Sequence, residues 1–121
     1  MTREEIIKGN KLIAEFNGKG NYSYYGHSIE LYGTPHYPKN KIKYHISWDW
    51  LMPVVEKIIK EYMTDYYNEY DMGIPNSYYV AIGSDGKYSS QGISKNSLIE
   101  ATWLSVIEFI KWYNKNKEIN E

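Results

Sequence analysis

The sequence predicts an α+β fold, a single-domain helix/sheet sandwich in which three helices pack on an antiparallel sheet of about four strands. Three observations carry this expectation. Apolar residues recur at helical spacing in three separate stretches, near residues 3–16, 47–62 and 97–114. Alternating stretches fall in pairs between them, 22–33 with 41–46 and 77–82 with 87–92. The links within each pair are too short for the crossover that parallel strands require. At 121 residues, the chain has the size of one domain around one core.

Thr2, with Glu5 three residues on, forms a capping box. Ile6, Gly9, Ile13 and Phe16 then share one helical face until Gly18 closes the segment. Glycine costs about 1 kcal/mol against alanine inside a helix, so Gly9 on the apolar face predicts close approach of another element. Residues 22–33 read as a strand, Ile29 and Leu31 alternating with Ser28, Glu30 and Tyr32 behind a cluster of Tyr22, Tyr24 and Tyr25. Gly33, Pro35 and Pro38 force an irregular connection. Residues 41–46 alternate again, with Ile42, Tyr44 and Ile46 on one face and Lys41, Lys43 and His45 on the other.

Ser47 caps the second helix, whose stripe is Leu51, Val54, Val55, Ile58 and Tyr62. Pro53 lacks an amide proton, which predicts either a first turn near Trp50 or a bend. The stripe extends through Tyr66 and Tyr70, but Glu61, Asp65 and Glu69 form a like-charge row that weakens a helix. The helix is therefore expected to fray before Gly73 and Pro75. Ser84, Asp85 and Gly86 supply the tight turn of a hairpin between 77–82 and 87–92. Ser97 with Glu100 makes a second capping box. The helix it opens carries Ile99, Trp103, Val106, Ile107, Ile110 and Tyr113, a stripe widened by Leu98, Leu104, Phe109 and Trp112. It is predicted to be the most buried helix, followed by a loose polar tail at 115–121.

Composition excludes several function classes. With 14 Lys+Arg against 15 Asp+Glu the net charge is −1, and Arg3 is the only arginine. Duplex nucleic acid is not an expected partner, because its affinity comes from neutralised phosphates and its bases are read by guanidinium forks. The absence of cysteine excludes disulfides, thiolate metal sites and cysteine nucleophiles. No apolar run reaches the ~18 residues of a membrane span, and the first residues do not read as a signal peptide. A cytoplasmic protein without a membrane partner is expected.

Tyrosine occurs 14 times and phenylalanine twice. A buried hydroxyl must find a partner whereas a plain ring need not, so this excess predicts rings that meet water, a ligand or another protein. Tyr22, Tyr24, Tyr25, His27, Tyr32, Lys43, His45 and Trp48 form the candidate ligand-binding set: rings to stack on a base, with lysine for phosphate. The same surface suits a homo-oligomer, since tyrosine is enriched at interfaces. His27, His36 and His45 stand nine residues apart near Glu30 and Asp49, but match no compact ligand motif. No metal, cofactor or catalytic residue is assigned. Trp48 and Trp50 either wall an anion site at the second helix's start or seal that helix against the sheet.

The run Tyr44–Ile58 (YHISWDWLMPVVEKI), together with Trp103–Tyr113 (WLSVIEFIKWY), resembles a group of small bacteriophage and prophage proteins. Some of these open with a segment similar to Thr2–Ala14. A broader likeness is to phage helix–sheet–helix (ABA) sandwich proteins. The resemblance implies a phage origin and a sandwich fold, and brings no activity with it. It leaves 17–43 and 63–97 unmatched, and specificity is expected there. The function expected from residues and resemblance together is a non-enzymatic phage accessory protein acting by binding. One concrete form is sequestration of a nucleotide-derived signal of host antiviral defence. The alternatives are a small nucleotide-processing phosphodiesterase using His27, His36 or His45, and a protein–protein interaction module.

Overall fold

A computed structural model describes residues 1–17, 22–25, 28–31, 36–38, 42–62, 64–84 and 88–120. Three helices are present, α1 (Arg3–Asn17), α2 (Trp48–Tyr62) and α3 (Leu98–Asn120). The strands are β1 (Tyr22–Tyr25), β2 (Ser28–Leu31), β3 (His36–Pro38), β4 (Asp65–Tyr70), β5 (Tyr78–Ser84) and β6 (Tyr88–Ser94). They make two antiparallel three-stranded sheets, β1-β2-β3 and β4-β5-β6. The α+β class is as expected; two small sheets replace the anticipated single one.

The hydroxyl half of both capping boxes forms. The Thr2 hydroxyl accepts the Glu5 amide at 3.1 Å and lies 3.1 Å from the Glu5 carboxylate, and the Ser97 hydroxyl accepts the Glu100 amide at 3.2 Å. The α2 helix begins at Trp48, its first turn hung on the Ser47 carbonyl, and runs through Pro53. The carbonyl that Pro53 leaves without an amide belongs to Asp49, and both residues are exposed, so water can satisfy it.

Three expected elements differ. The single strand at 22–33 is a hairpin, Tyr22 pairing with Leu31 and Tyr25 with Ser28. Residues 42–47 are a turn, not a strand: the Lys43 carbonyl takes the amides of both Ile46 and Ser47. Ile42 and Tyr44 are buried as the alternation required, but Ile46 faces solvent. The frayed helix end at 65–70 is the edge strand β4, paired residue for residue with β5. Thr64 closes α2, its amide and hydroxyl donating to Ile59 and Ile58 carbonyls, and the like-charge row then points into a strand. The β4–β5 loop holds Asp71 and Asn76 at positive φ, which these residue types tolerate, with the Asn76 amide on the Asp71 carboxylate at 2.6 Å. The tip of the β5–β6 hairpin, 85–87, lies outside the described residues. The α3 helix continues to Asn120, past the expected end at 114.

The helix α3 is the hub. It lies on β5 and β6, and its other sides meet α1 and α2. Ala101, Thr102, Trp103, Ser105, Val106, Ile107, Phe109 and Ile110 are all buried, as suits a helix covered nearly all round. Toward the sheet its side chains are small and hydroxylated. The Thr102 hydroxyl pairs with Tyr66 at 3.0 Å, and the Ser105 hydroxyl donates to the Ser90 carbonyl at 2.9 Å. Gly92 lies so close beneath α3 that a Cβ there would collide with the Ala101 carbonyl and stand 2.7 Å from the Ser105 nitrogen. Gly9 gives α1 a similar approach to the Trp103 indole, the contact the sequence predicts. Phe16, Tyr62, Phe109 and Tyr113 close the far end as an aromatic cluster, centroids 5.0–6.5 Å apart.

The two glycines should rank differently. An alanine at 92 meets rigid helix backbone, whereas one at 9 meets a ring edge and regains helix propensity. Gly92→Ala is expected to lower the unfolding free energy by about 3 kcal/mol and Gly9→Ala by about 1 kcal/mol, read from urea midpoints. A neutral Gly92→Ala would mean that α3 does not sit on this strand.

Candidate functional site

Site geometry starts from a polar side chain in the middle of an otherwise apolar contact. Asn10, on α1, is 3% exposed, and its amide meets α3 and the 42–47 turn at once. The Trp103 indole N–H donates to Asn10 Oδ1 at 2.9 Å. An indole nitrogen can only donate, so this bond fixes which end of the Asn10 amide is oxygen. The opposite end is then the NH2, 3.4 Å from the Ile42 carbonyl and 3.0 Å from His45 Nδ1. An NH2 can only donate as well, which makes His45 Nδ1 the acceptor and places any proton of the neutral ring on Nε2. One buried amide thus sets the tautomer of His45 and ties the turn to two helices.

Burial holds the His45 pKa below its usual 6.5, in keeping with a ring that serves as acceptor. Tyr44, next to it, is buried against Trp50, edge to face at 5.2 Å, and burial raises its pKa. Beyond this anchored base Lys43 is exposed to solvent, and Trp48, the first residue of α2, is 38% exposed. Trp50 packs against the core, while Trp48 stands exposed.

The remaining members of the candidate set stand as follows. Tyr22, Tyr24 and Tyr25 are β1 residues, facing Leu31, Ile29 and Ser28 across the ladder. Tyr37 and His36, which are not in that set, lie on β3, opposite Ile29 and Glu30. Tyr24, Ile29 and Tyr37 therefore form one row across three strands, and Ser23, Glu30 and His36 the next. His27 and Tyr32 lie outside the described residues. Lys43, His45 and Trp48 lie on the 43–48 segment, Lys43 and Trp48 exposed and His45 half-buried.

The other tyrosines divide by environment. Tyr44, Tyr62, Tyr66 and Tyr113 are held by internal contacts, and burial together with the Tyr113 contact pushes the Tyr62 phenol well up. Tyr67 and Tyr70 stand about half exposed on β4, at 53% and 51%. Tyr67 stacks edge-on with Tyr79 at 6.3 Å and donates to Glu69 at 2.6 Å, so that carboxylate raises its pKa. Among the described residues no group of three or more His, Cys, Asp or Glu side chains is placed to hold a metal. No described helix is long and apolar enough to cross a membrane. Comparison with family models, curated proteins and solved structures found no match to this chain.

Sequence reasoning missed Asn10 and the indole nitrogen of Trp103. The available signal was the pair Gly9-Asn10, two poor helix formers side by side in the middle of a capped helix.

Two outcomes follow. Asn10→Ala strands the Trp103 N–H in the core and is expected to cost about 3 kcal/mol in chemical denaturation. The pH dependence has a definite sign. Because His45 is harder to protonate folded than unfolded, its contribution to stability is complete above pH 6.5 and is lost as pH falls through the lower folded pKa. His45→Gln keeps an acceptor without a titration, so the mutant should lose less stability than the wild type between about pH 7 and 5.

Proposed function

We propose that this protein acts by binding, without a chemical step of its own, as a phage accessory protein that captures a nucleotide-derived signal of host antiviral defence. The observation that carries this reading is the display of Lys43 and Trp48 on a turn whose base is anchored by the Asn10 amide. An ammonium and an open indole face on one rigid segment suit a ligand with a phosphate and a flat base. A stacked base contributes roughly 1–3 kcal/mol, and a turn already held in place loses little entropy on binding. The β1 tyrosines and the resemblance to phage proteins support the same class of ligand.

Of the three histidines of the phosphodiesterase alternative, His45 is poorly suited to act as its base. A general base needs a free lone pair, and the Nδ1 lone pair of His45 is taken by Asn10 while Nε2 carries the proton. The interaction-module alternative draws on Tyr67, Tyr79 and Ile93, which share the face of the second sheet turned away from α3.

The test is to purify the protein from its host, denature it with heat and analyse the released small molecules by mass spectrometry. A phosphorylated, base-containing compound recovered intact is the expected result. In calorimetry with that compound, Trp48→Ala and Lys43→Ala should each weaken binding about tenfold with no change in melting temperature. Release of nothing, or conversion of the compound during incubation, would contradict the proposal.

A further inference from the structure

The second sheet has one face under α3 and one turned away from it. Ser90 and Gly92 lie against α3, and their β5 partners Ile82 and Val80 are buried on the same side. Strand alternation sends their odd-numbered neighbours to the opposite face. There Asp65, Tyr67 and Glu69 of β4 stand across from Gly83, Ala81 and Tyr79 of β5, and none of the six is buried.

Two rings and a carboxylate share one corner of this face. Tyr67 and Tyr79 meet edge to face, 6.3 Å between centroids and 67° between planes. The Tyr67 hydroxyl donates to Glu69 Oε2 at 2.6 Å, and Glu69 is the direct cross-strand partner of Tyr79. Because that bond comes from a neutral phenol, it orients the Tyr67 ring without cancelling the charge of Glu69. Among the described residues neither Glu69 nor Asp65 has a cationic partner. The surrounding stretch, 61–86, holds five Asp and Glu and no Lys or Arg. A phosphate is repelled here. An organic ammonium is suited to it, since the carboxylate takes its N–H donors and charge while ring faces attract the cation and cover its methylenes. A hydrated divalent cation would engage the carboxylates and leave the rings unused.

Spacing decides how long the ligand is. Asp65 lies on the same face as Glu69, four residues and about 13 Å away along the strand. Between them only Tyr67 rises from β4, and beside it on β5 Ala81 and Gly83 carry no more than a methyl. A slim chain can therefore lie on this strip against the Tyr67 ring, with one charged end at each carboxylate. At ordinary bond lengths the end nitrogens of extended spermidine are roughly 11 Å apart and those of putrescine roughly 6 Å. Spermidine spans the two carboxylates and putrescine does not.

We propose that this face binds a linear polyamine, one ammonium in the corner of Tyr67, Glu69 and Tyr79 and another at Asp65. The site takes a ligand of the opposite charge from the one assigned to Lys43 and Trp48, and it does not depend on that reading.

The probes are spermidine, putrescine, the single-ammonium compound Nα-acetyl-lysine amide and magnesium, each titrated as the chloride into the full chain and followed by backbone NMR shifts. Spermidine should move Asp65, Tyr67, Glu69 and Tyr79, and should bind about threefold tighter than putrescine, the scale of one more exposed ion pair. Asp65→Asn, an exposed change, should abolish that difference and leave putrescine binding as it was. Tyr67→Leu should weaken both amines about threefold, the scale of an exposed cation–π contact. The proposal is overturned by absent shifts or shifts elsewhere, by magnesium giving the same shifts at the same concentration, or by a spermidine preference that survives Asp65→Asn. It is equally overturned if the acetyl-lysine amide binds as tightly as spermidine, which would make the site one for a single ammonium.

Discussion

The buried amide of Asn10 is the constraint on which the arrangement of the helices and the candidate site rests. Apolar contacts between α1 and α3 would tolerate some sliding, since hydrophobic burial is non-directional. A buried amide with three partners does not, because each bond that slips leaves a polar group in a region without water. The indole of Trp103 determines which way the amide faces, and the amide determines what Ile42 and His45 must offer it. Chain segments 35 and 93 residues distant from Asn10 are thereby held in one register.

The packing around this point is unusually close because glycine occurs where two layers meet. Gly9 lets α1 descend on the Trp103 ring, which brings Asn10 within reach of the indole nitrogen. Gly92 lets α3 descend on β6, with serine and threonine in place of bulkier side chains between helix and sheet.

Local signals in the sequence determine the outcome where local physics decides. The capping residues Thr2, Glu5, Ser97 and Glu100 mark both helix starts, and the apolar stripe of α3 identifies the most buried helix. Where tertiary contacts decide, the pattern is ambiguous. Tyr62, Tyr66 and Tyr70 are spaced by four, which keeps residues on one face of a helix and equally on one face of a strand; only pairing with β5 selects the strand. The alternation at Ile42 and Tyr44 reports burial correctly, but six residues of alternation do not separate a strand from a turn leading into a helix. The candidate binding set rests on composition, an excess of tyrosine near lysine and histidine. The role of His45 was not, since a histidine on a polar face gives no sign of an asparagine 35 residues earlier that claims its lone pair.

The 43–48 segment is held at its base by the Asn10 amide, while Lys43 and Trp48 are exposed. The anchoring depends on the bonding pattern of His45. Nitrogen-detected NMR of the imidazole at neutral pH tests it directly. The account predicts a neutral ring protonated at Nε2, with Nδ1 carrying no proton and acting as a hydrogen-bond acceptor. A ring protonated at Nδ1, or charged at neutral pH, would contradict the amide orientation and the anchored turn built upon it.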